Sequence, residues 1–169
     1  MLLDNKADVN VSDHDAATPL HAAAFHGRTE VVKLLLAKKA DVNVSKKDGA
    51  TPAFVAAKNG HPEVVKLLLA NSADMNASKT DGATPAFIAA QEGHIEVVKL
   101  LLANKADVNA SRNNGVTPVF MAAQEGHTEV VKLLLANKAD VKARCKTNGE
   151  KPIDAARRNH HLEVVKLLQ

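Results

Sequence analysis

The dipeptide Thr-Pro stands at Thr18-Pro19, Thr51-Pro52, Thr84-Pro85 and Thr117-Pro118, each 33 residues after the last, and Lys151-Pro152 follows after 34. The intervening segments are close copies: 48–80 reads DGATPAFVAAKNGHPEVVKLLLANSADMNASKT and 81–113 reads DGATPAFIAAQEGHIEVVKLLLANKADVNASRN. A fixed period of this length means supersecondary units stacked in a row, because one unit is too small to bury its own apolar faces. Function then belongs to an extended surface rather than to a central pocket.

Each unit can be read locally. Thr84 is placed to cap a helix, and Pro85 at the first helical position gives up no useful N–H. The pattern predicts a short helix over 85–92, kept thin by Ala86, Ala89 and Ala90 and stopped by Gly93. A second helix is predicted over 95–104. Its Val97, Val98, Leu100, Leu101 and Leu102 cover more than a narrow stripe, which buries it between neighbours with Glu96, Lys99 and Asn104 in water. Ala106-Asp107-Val108-Asn109 then leads to Asn114-Gly115, a turn joining two extended stretches. The fold class expected is an all-α repeat solenoid with projecting β-hairpin loops. Its repeats divide as a partial first repeat over 1–12, four full repeats over 13–45, 46–78, 79–111 and 112–145, and a capping repeat over 146–169.

Composition narrows the function classes. The core must be built from Ala, Val and Leu, since the protein has four Phe and no Trp or Tyr. A net charge of +3 is well short of the dense Lys/Arg clustering of a dedicated nucleic-acid binder. One cysteine, Cys145, excludes an intramolecular disulfide framework and a Cys-rich zinc site. Lys66 and its counterparts break the apolar runs, so no membrane span is expected. No leader pattern precedes the repeats, and the expectation is a soluble, intracellular, cytoplasmic protein.

No phosphate loop, nucleophile elbow or H-E-x-x-H motif is present, so neither catalysis nor a cofactor is expected. His61, His94, His127 and His161 each precede a Glu by two residues, but the P-C-x-x-C partner of a zinc deaminase is missing. The repeat explains them as helix-start residues. His14, His21 and His26 share one unit without a carboxylate or thiolate spacing that supports a metal, and at His160-His161 an adventitious metal is as well supported as a designed site. Cys145, between Arg144 and Lys146, is expected to be an accessible thiol with a lowered pKa. Asn10, Asn43, Asn76 and Asn109 each begin an N-glycosylation acceptor triplet, which follows automatically from the repeat and is expected to go unused.

The consensus D-G-x-T-P-x-x-x-A-A-x-x-G-H-x-E-V-V-K-L-L-L-x-x-x-A-D-V-N-A resembles the ankyrin repeat over nearly the whole sequence. The resemblance implies a curved solenoid whose concave face is made of hairpins and first helices, used mostly to bind other proteins and mostly without catalysis. The family's Thr-Pro-Leu-His survives only at Thr18-Pro19-Leu20-His21; the next three units carry Ala53-Phe54, Ala86-Phe87 and Val119-Phe120. A smaller residue beside a larger one reads as volume-conserving repacking. It predicts a ladder of Phe buried between units, the alternative being an exposed ligand stripe. In the family that His bonds to the Thr and to backbone of an adjacent unit.

Carried over by position, the resemblance places partner contacts at the hairpin tips and on the first helices. The tip candidates are His14, Asp15, Lys46, Lys47, Lys79, Thr80, Arg112, Asn113, Lys146 and Thr147. The helix candidates are Phe25, His26, Lys58, Asn59, Gln91, Glu92, Gln124, Glu125, Arg158 and Asn159. The tip cations suggest a protein partner with an acidic surface; a solvated edge is the alternative. The first unit lacks a polar cover on its N-terminal side, which raises a second possibility: a structural or self-stacking fragment of a longer array attached to another domain. On that reading the protein is a monomer or associates weakly end to end.

Overall fold

A computed structural model of the protein describes residues 7–169. Met1–Lys6, the start of the partial first repeat, lie outside the described residues. The elements come in pairs: α1 (Pro19–Phe25) with α2 (Thr29–Ala37), α3 (Pro52–Lys58) with α4 (Pro62–Ala70), and α5 (Pro85–Gln91) with α6 (Ile95–Ala103). They continue as α7 (Pro118–Glu125) with α8 (Thr128–Ala136), and α9 (Pro152–Arg158) with α10 (Leu162–Leu167). First helices pack on first helices of neighbouring units, and second helices on second helices, so the fold is a two-layered stack. The predicted helices in the third unit each end one residue early, at Gln91 and Ala103.

The expected caps form. The hydroxyls of Thr51, Thr84 and Thr117 accept from the backbone N–H of Phe54, Phe87 and Phe120 at 3.2, 3.2 and 3.4 Å. The last unit, where Lys151 replaces Thr, reverses the polarity of the cap: the Asp154 carboxylate accepts from the Lys151 N–H at 3.0 Å.

Four ladders hold the units together, and each accounts for a repeated residue. The first is apolar. Phe54, Phe87 and Phe120 are all buried, Phe87 completely, so the aromatic positions form a core ladder and not an exposed stripe. Burial of one such side chain stabilises by roughly 1.5–3 kcal/mol.

The second ladder is histidine over glycine. Nε2–H of His61, His94, His127 and His161 donates to the carbonyls of Phe25, Lys58, Gln91 and Gln124, at the end of the preceding first helix, at 2.9, 3.0, 2.9 and 2.9 Å. Each ring lies where a Cβ on the preceding unit's Gly27, Gly60, Gly93 or Gly126 would stand, with approaches of 2.5–2.7 Å. Those glycines therefore serve twice, supplying a positive φ and making room for the next unit's ring. The helix-start histidines are structural, as the repeat implied.

The third ladder runs along the Ala-Asp-Val-Asn segments. Oδ1 of Asn10, Asn43, Asn76 and Asn109 accepts from the N–H of Asp41, Asp74, Asp107 and Asp140 in the following unit, at 2.8–2.9 Å. The glycosylation-like triplets thus place an inter-unit fastening at their asparagine. The fourth ladder joins the tips: Lys47, Thr80, Asn113 and Lys146 donate from backbone N–H to the carbonyls of Asp15, Asp48, Asp81 and Asn114.

The projecting loops are hairpins by hydrogen bonding but contain no strand among the described residues. Lys79 N–H donates to Ala83 and Gly82 N–H to Lys79, closing a tight turn with a single rung, too short to count as paired strands. In the last unit the corresponding turn is wider: Cys145 N–H donates to Glu150 and Gly149 N–H to Cys145. The extra residue is therefore taken up after Lys146, where the turn opens by one position.

The two ends of the stack differ. Val64, Val97, Val130 and Val164 are at most 2% exposed, whereas Val31, their counterpart in the first unit, is 47% exposed, as is Leu34. At the other end Arg157 holds the place of the fully buried Ala24, Ala57, Ala90 and Ala123, and it is exposed. His160 holds the place of the ladder glycines at φ 61. A further histidine could not seat over its Cβ, so the last unit terminates the ladder chemically.

Candidate partner-binding face

The tips and first helices share one face of the stack. Glu150 at the last tip accepts from Arg158 Nη2 on α9 at 3.2 Å, and Lys46 at a tip meets Phe25 and His26 from α1 in one pocket. All twenty sequence candidates lie on these elements, but the fold uses them unequally.

On the helices, Phe25 is 52% exposed, and its ring meets His26 edge-on at 4.9 Å. Lys58, Glu92, Glu125 and Arg158 are exposed at or beside the equivalent positions. Gln91 and Gln124 turn along the helix to donate to Glu92 and Glu125, at 3.3 and 2.9 Å. Asn59 bonds back to the Val55 carbonyl at 2.8 Å, and Asn159 reaches the Gln124 carbonyl of the previous unit at 3.0 Å. These two asparagines serve the fold before any partner.

The expected row of tip cations is interrupted. Lys79 lies over the Phe54 ring at 5.5 Å and pairs with Asp48 at 3.0 Å; Arg112 lies over the Phe87 ring at 4.5 Å and pairs with Asp81 at 3.3 Å. Each cation thus lids a buried Phe and is anchored by the acid of the preceding tip. Burial works against ionisation of Asp48, but the Lys79 ammonium and the Ala50 N–H outweigh it and lower its pKa. Lys146 donates to the Asn113 carbonyl at 3.0 Å, and Asn113 to the Thr80 carbonyl at 3.0 Å. Lys46 and Lys47 make no ion pair among the described residues, while His14 and Asp15 pair only with each other at 3.6 Å. The tip cations therefore do not form one free row: Lys79 and Arg112 are paired with acids, whereas Lys46, Lys47 and Lys146 make no ion pair among the described residues. Sequence reasoning does not single out Asp48 or Asp81 and misses their pairing, although each stands 31 residues before its cation.

Two histidine and cysteine expectations come out differently. His21 is buried. Its Nε2–H donates to the Ala50 carbonyl of the next unit at 3.0 Å, which leaves Nδ1 bare to accept from the Thr18 N–H at 3.2 Å. Burial pushes its pKa down against the opposing effect of the Ala50 carbonyl. The bonds expected of this histidine are present. Cys145, by contrast, is not the accessible thiol that its flanking charges suggest: it is buried, in the tip position held elsewhere by Lys79 and Arg112, 2.9 Å from the Thr147 hydroxyl. Hydrogen bonds from the Thr147 hydroxyl and backbone lower its pKa, but its side chain belongs to the core. The physical reason is position: that place on the tip faces the stack whatever residue fills it.

Among the described residues no three His, Cys, Asp or Glu side chains are grouped to hold a metal. No described helix is long and apolar enough to cross a membrane. Comparison with curated proteins yields no match. A family model described as ankyrin repeats (3 copies) matches residues 1–79, 40–112, 67–145 and 86–169, which together span the sequence. With the 33-residue period, the paired helices and the inter-unit ladders, this match establishes that the protein belongs to the ankyrin repeat family.

Proposed function

We propose that the protein is a non-enzymatic scaffold that binds a protein partner through the concave face of hairpin tips and first helices. Ankyrin repeats are generally protein-interaction modules. The observation that supports this face here is a division of labour. The residues that repeat in every unit are occupied by the ladders, whereas those that vary, Phe25, Lys58, Glu92, Glu125 and Arg158 among them, project from one face. A surface freed from holding the fold is available for recognition.

The test is comparative capture of proteins from lysate by the native protein, by a face variant (Lys47→Glu, Lys58→Glu, Glu92→Lys and Glu125→Lys) and by a second-helix variant (Lys33→Glu and Lys66→Glu). The scaffold reading expects partners to be lost from the face variant and kept by the second-helix variant. Identical capture by all three would overturn it.

The half-exposed Val31 and Leu34 favour a second reading, in which the stack is a segment that associates through its N-terminal side. Arg157 opposes head-to-tail growth, because it would place a guanidinium against a neighbour's apolar flank. Light scattering across a concentration series decides: a constant mass argues against self-stacking.

A further inference from the structure

Two departures from the repeat meet in the first unit, and together they line one pocket. In the third and fourth units the tip cation is fixed over a Phe by the preceding tip's Asp. In the second unit the cation is Lys46, but the residue below it is His21, an imidazole whose nitrogens are committed to Thr18 and Ala50, in place of the phenyl ring that Lys79 and Arg112 lid. The acid that would anchor Lys46 by analogy, Asp15, lies 3.6 Å from the exposed His14 ring and makes no ion pair with Lys46 among the described residues. Asp48 is engaged by Lys79, and the Asp13 carboxylate accepts from the N–H groups of Asp15 and Ala17. Lys46 is therefore left half-buried with no carboxylate within 4 Å among the described residues, although its charge still reaches Asp13 and Asp48 and helps to lower their pKa.

The second departure is Phe25, an exposed aromatic where later units place Lys58, Gln91, Gln124 and Arg158. Phe25, Ala22 and Val55 form the apolar side of an open pocket of about 330 Å³, and Lys46, His26 and His21 line the rest. That volume is at the low end for ligand sites, which run about 300–1,000 Å³, so it suits side chains rather than a cofactor. Lys47, next in sequence to Lys46, and Lys58, one helical turn after Val55, are both exposed and add positive charge to this part of the face.

We infer that this pocket is the anchor of the face, and that it takes a partner segment presenting a carboxylate next to an apolar side chain, the carboxylate on Lys46 and the apolar group against Phe25 and Val55. This rests on the scaffold reading and makes it local: recognition is concentrated on the first two units, with the remaining units adding area. A side chain seated in a pocket against Phe25, with its charge met by half-buried Lys46, concentrates binding energy at one place on the face. The carboxylate belongs either to an Asp or Glu residue or to the terminal carboxyl group of the partner, and the experiment separates them.

The test is a titration of the protein followed by two-dimensional amide NMR, with three probes: N-acetyl-Glu-Leu-Phe-amide, N-acetyl-Gln-Leu-Phe-amide and N-acetyl-Gln-Leu-Phe with a free carboxyl terminus. Saturable shifts are expected at residues 17–26, 46–47 and 55–58 for one or both carboxylate probes, about tenfold weaker for the neutral one. The probe that binds identifies the source of the carboxylate. Phe25→Lys, which installs the residue the next unit carries, and Lys46→Gln should each weaken binding by about tenfold or more; Gln91→Lys, farther along the face, should not. Equal shifts for neutral and charged probes, shifts centred elsewhere, or no saturable shifts would overturn the inference. Movement of the same resonances with protein concentration alone would assign the pocket to a second copy of the protein and overturn it equally. Lysate capture lost by the face variant yet kept by Phe25→Lys leaves the scaffold reading in place and removes this one; capture unchanged by either variant removes both.

Discussion

Gly93→Ala tests the histidine-over-glycine ladder directly. Gly93 has φ +75, so alanine there is strained by about 1–2 kcal/mol whatever surrounds it. The new Cβ would also lie 2.6 Å from Cε1 of His127. The ring must move, and its bond to the Gln91 carbonyl, 2.9 Å in the native stack, goes with it. Overpacking costs about 1–3 kcal/mol and a lost hydrogen bond about 1 kcal/mol, so the inter-unit part amounts to roughly 2–4 kcal/mol. Gly149→Ala is the matched control: its φ of +71 imposes the same backbone strain, but a Cβ there meets nothing within 4 Å.

The difference between the two variants therefore isolates the contact between units. Because the protein has no Trp or Tyr, unfolding in urea should be followed by circular dichroism at the helical band. At about 2 kcal/mol per molar urea, Gly93→Ala should unfold roughly 1–2 M earlier than Gly149→Ala. The loss falls on one interface of a nearest-neighbour stack, so its transition should also broaden or split. Adding His127→Ala should recover part of the excess, since the ring is what the methyl strikes. Equal midpoints for the two glycine variants, or no recovery in the double variant, would refute the ladder as a stabilising device.

Phe87→Ala should cost about 3–5 kcal/mol by urea unfolding, and Arg112→Ala, which removes only the lid, much less. Lys105 and Lys138 follow their second helices at φ 65; replacing either by Gly should stabilise by about 0.5–1 kcal/mol, the relief of left-handed strain exceeding the entropy cost of glycine. The His21 pKa is lowered on folding, so the unfolded state binds more protons over the interval between the folded and unfolded values. Its contribution is complete above about pH 6.5 and is lost as pH falls through the folded value. Urea midpoints at pH 7.5 and 5.5 should show this drop in the native protein and a smaller one in Leu20→Ala/His21→Phe, which copies the second unit.

The stack is legible in the sequence because its causes are local and repeated: Thr-Pro starts a helix, Gly stops it, and Val-Val-Lys-Leu-Leu-Leu demands burial on several sides. Even the Phe ladder can be anticipated, since Ala53, Ala86 and Val119 give back the volume that Phe takes. What cannot be read is which partner in another unit a long, flexible residue selects. Lys79 and Lys46 occupy the same place in the period, and nothing within their own units says that one lids a ring while the other stays unpaired. Cys145 misleads for a related reason. Its flanking charges advertise exposure, but burial is set by the direction in which a tip position faces, and that place faces the stack.

The same reasoning indicates where recognition can arise in an array of near-copies. A residue that satisfies its neighbour in every unit is spent on the stack, and duplication spreads that arrangement along the array. A free group appears only where a copy departs and its partner does not follow. His21 is such a departure: its ring nitrogens are taken by Thr18 and Ala50, and Lys46 lacks the phenyl ring over which its counterparts lie. Restoring that surface should therefore quench the pocket from beneath. In Leu20→Ala/His21→Phe, Lys46 should fold over the new ring and pair with Asp15, and the carboxylate probes should lose affinity although no group proposed to touch them has changed. Undiminished binding in that variant would show that Lys46 is held outward by something other than the residue below it.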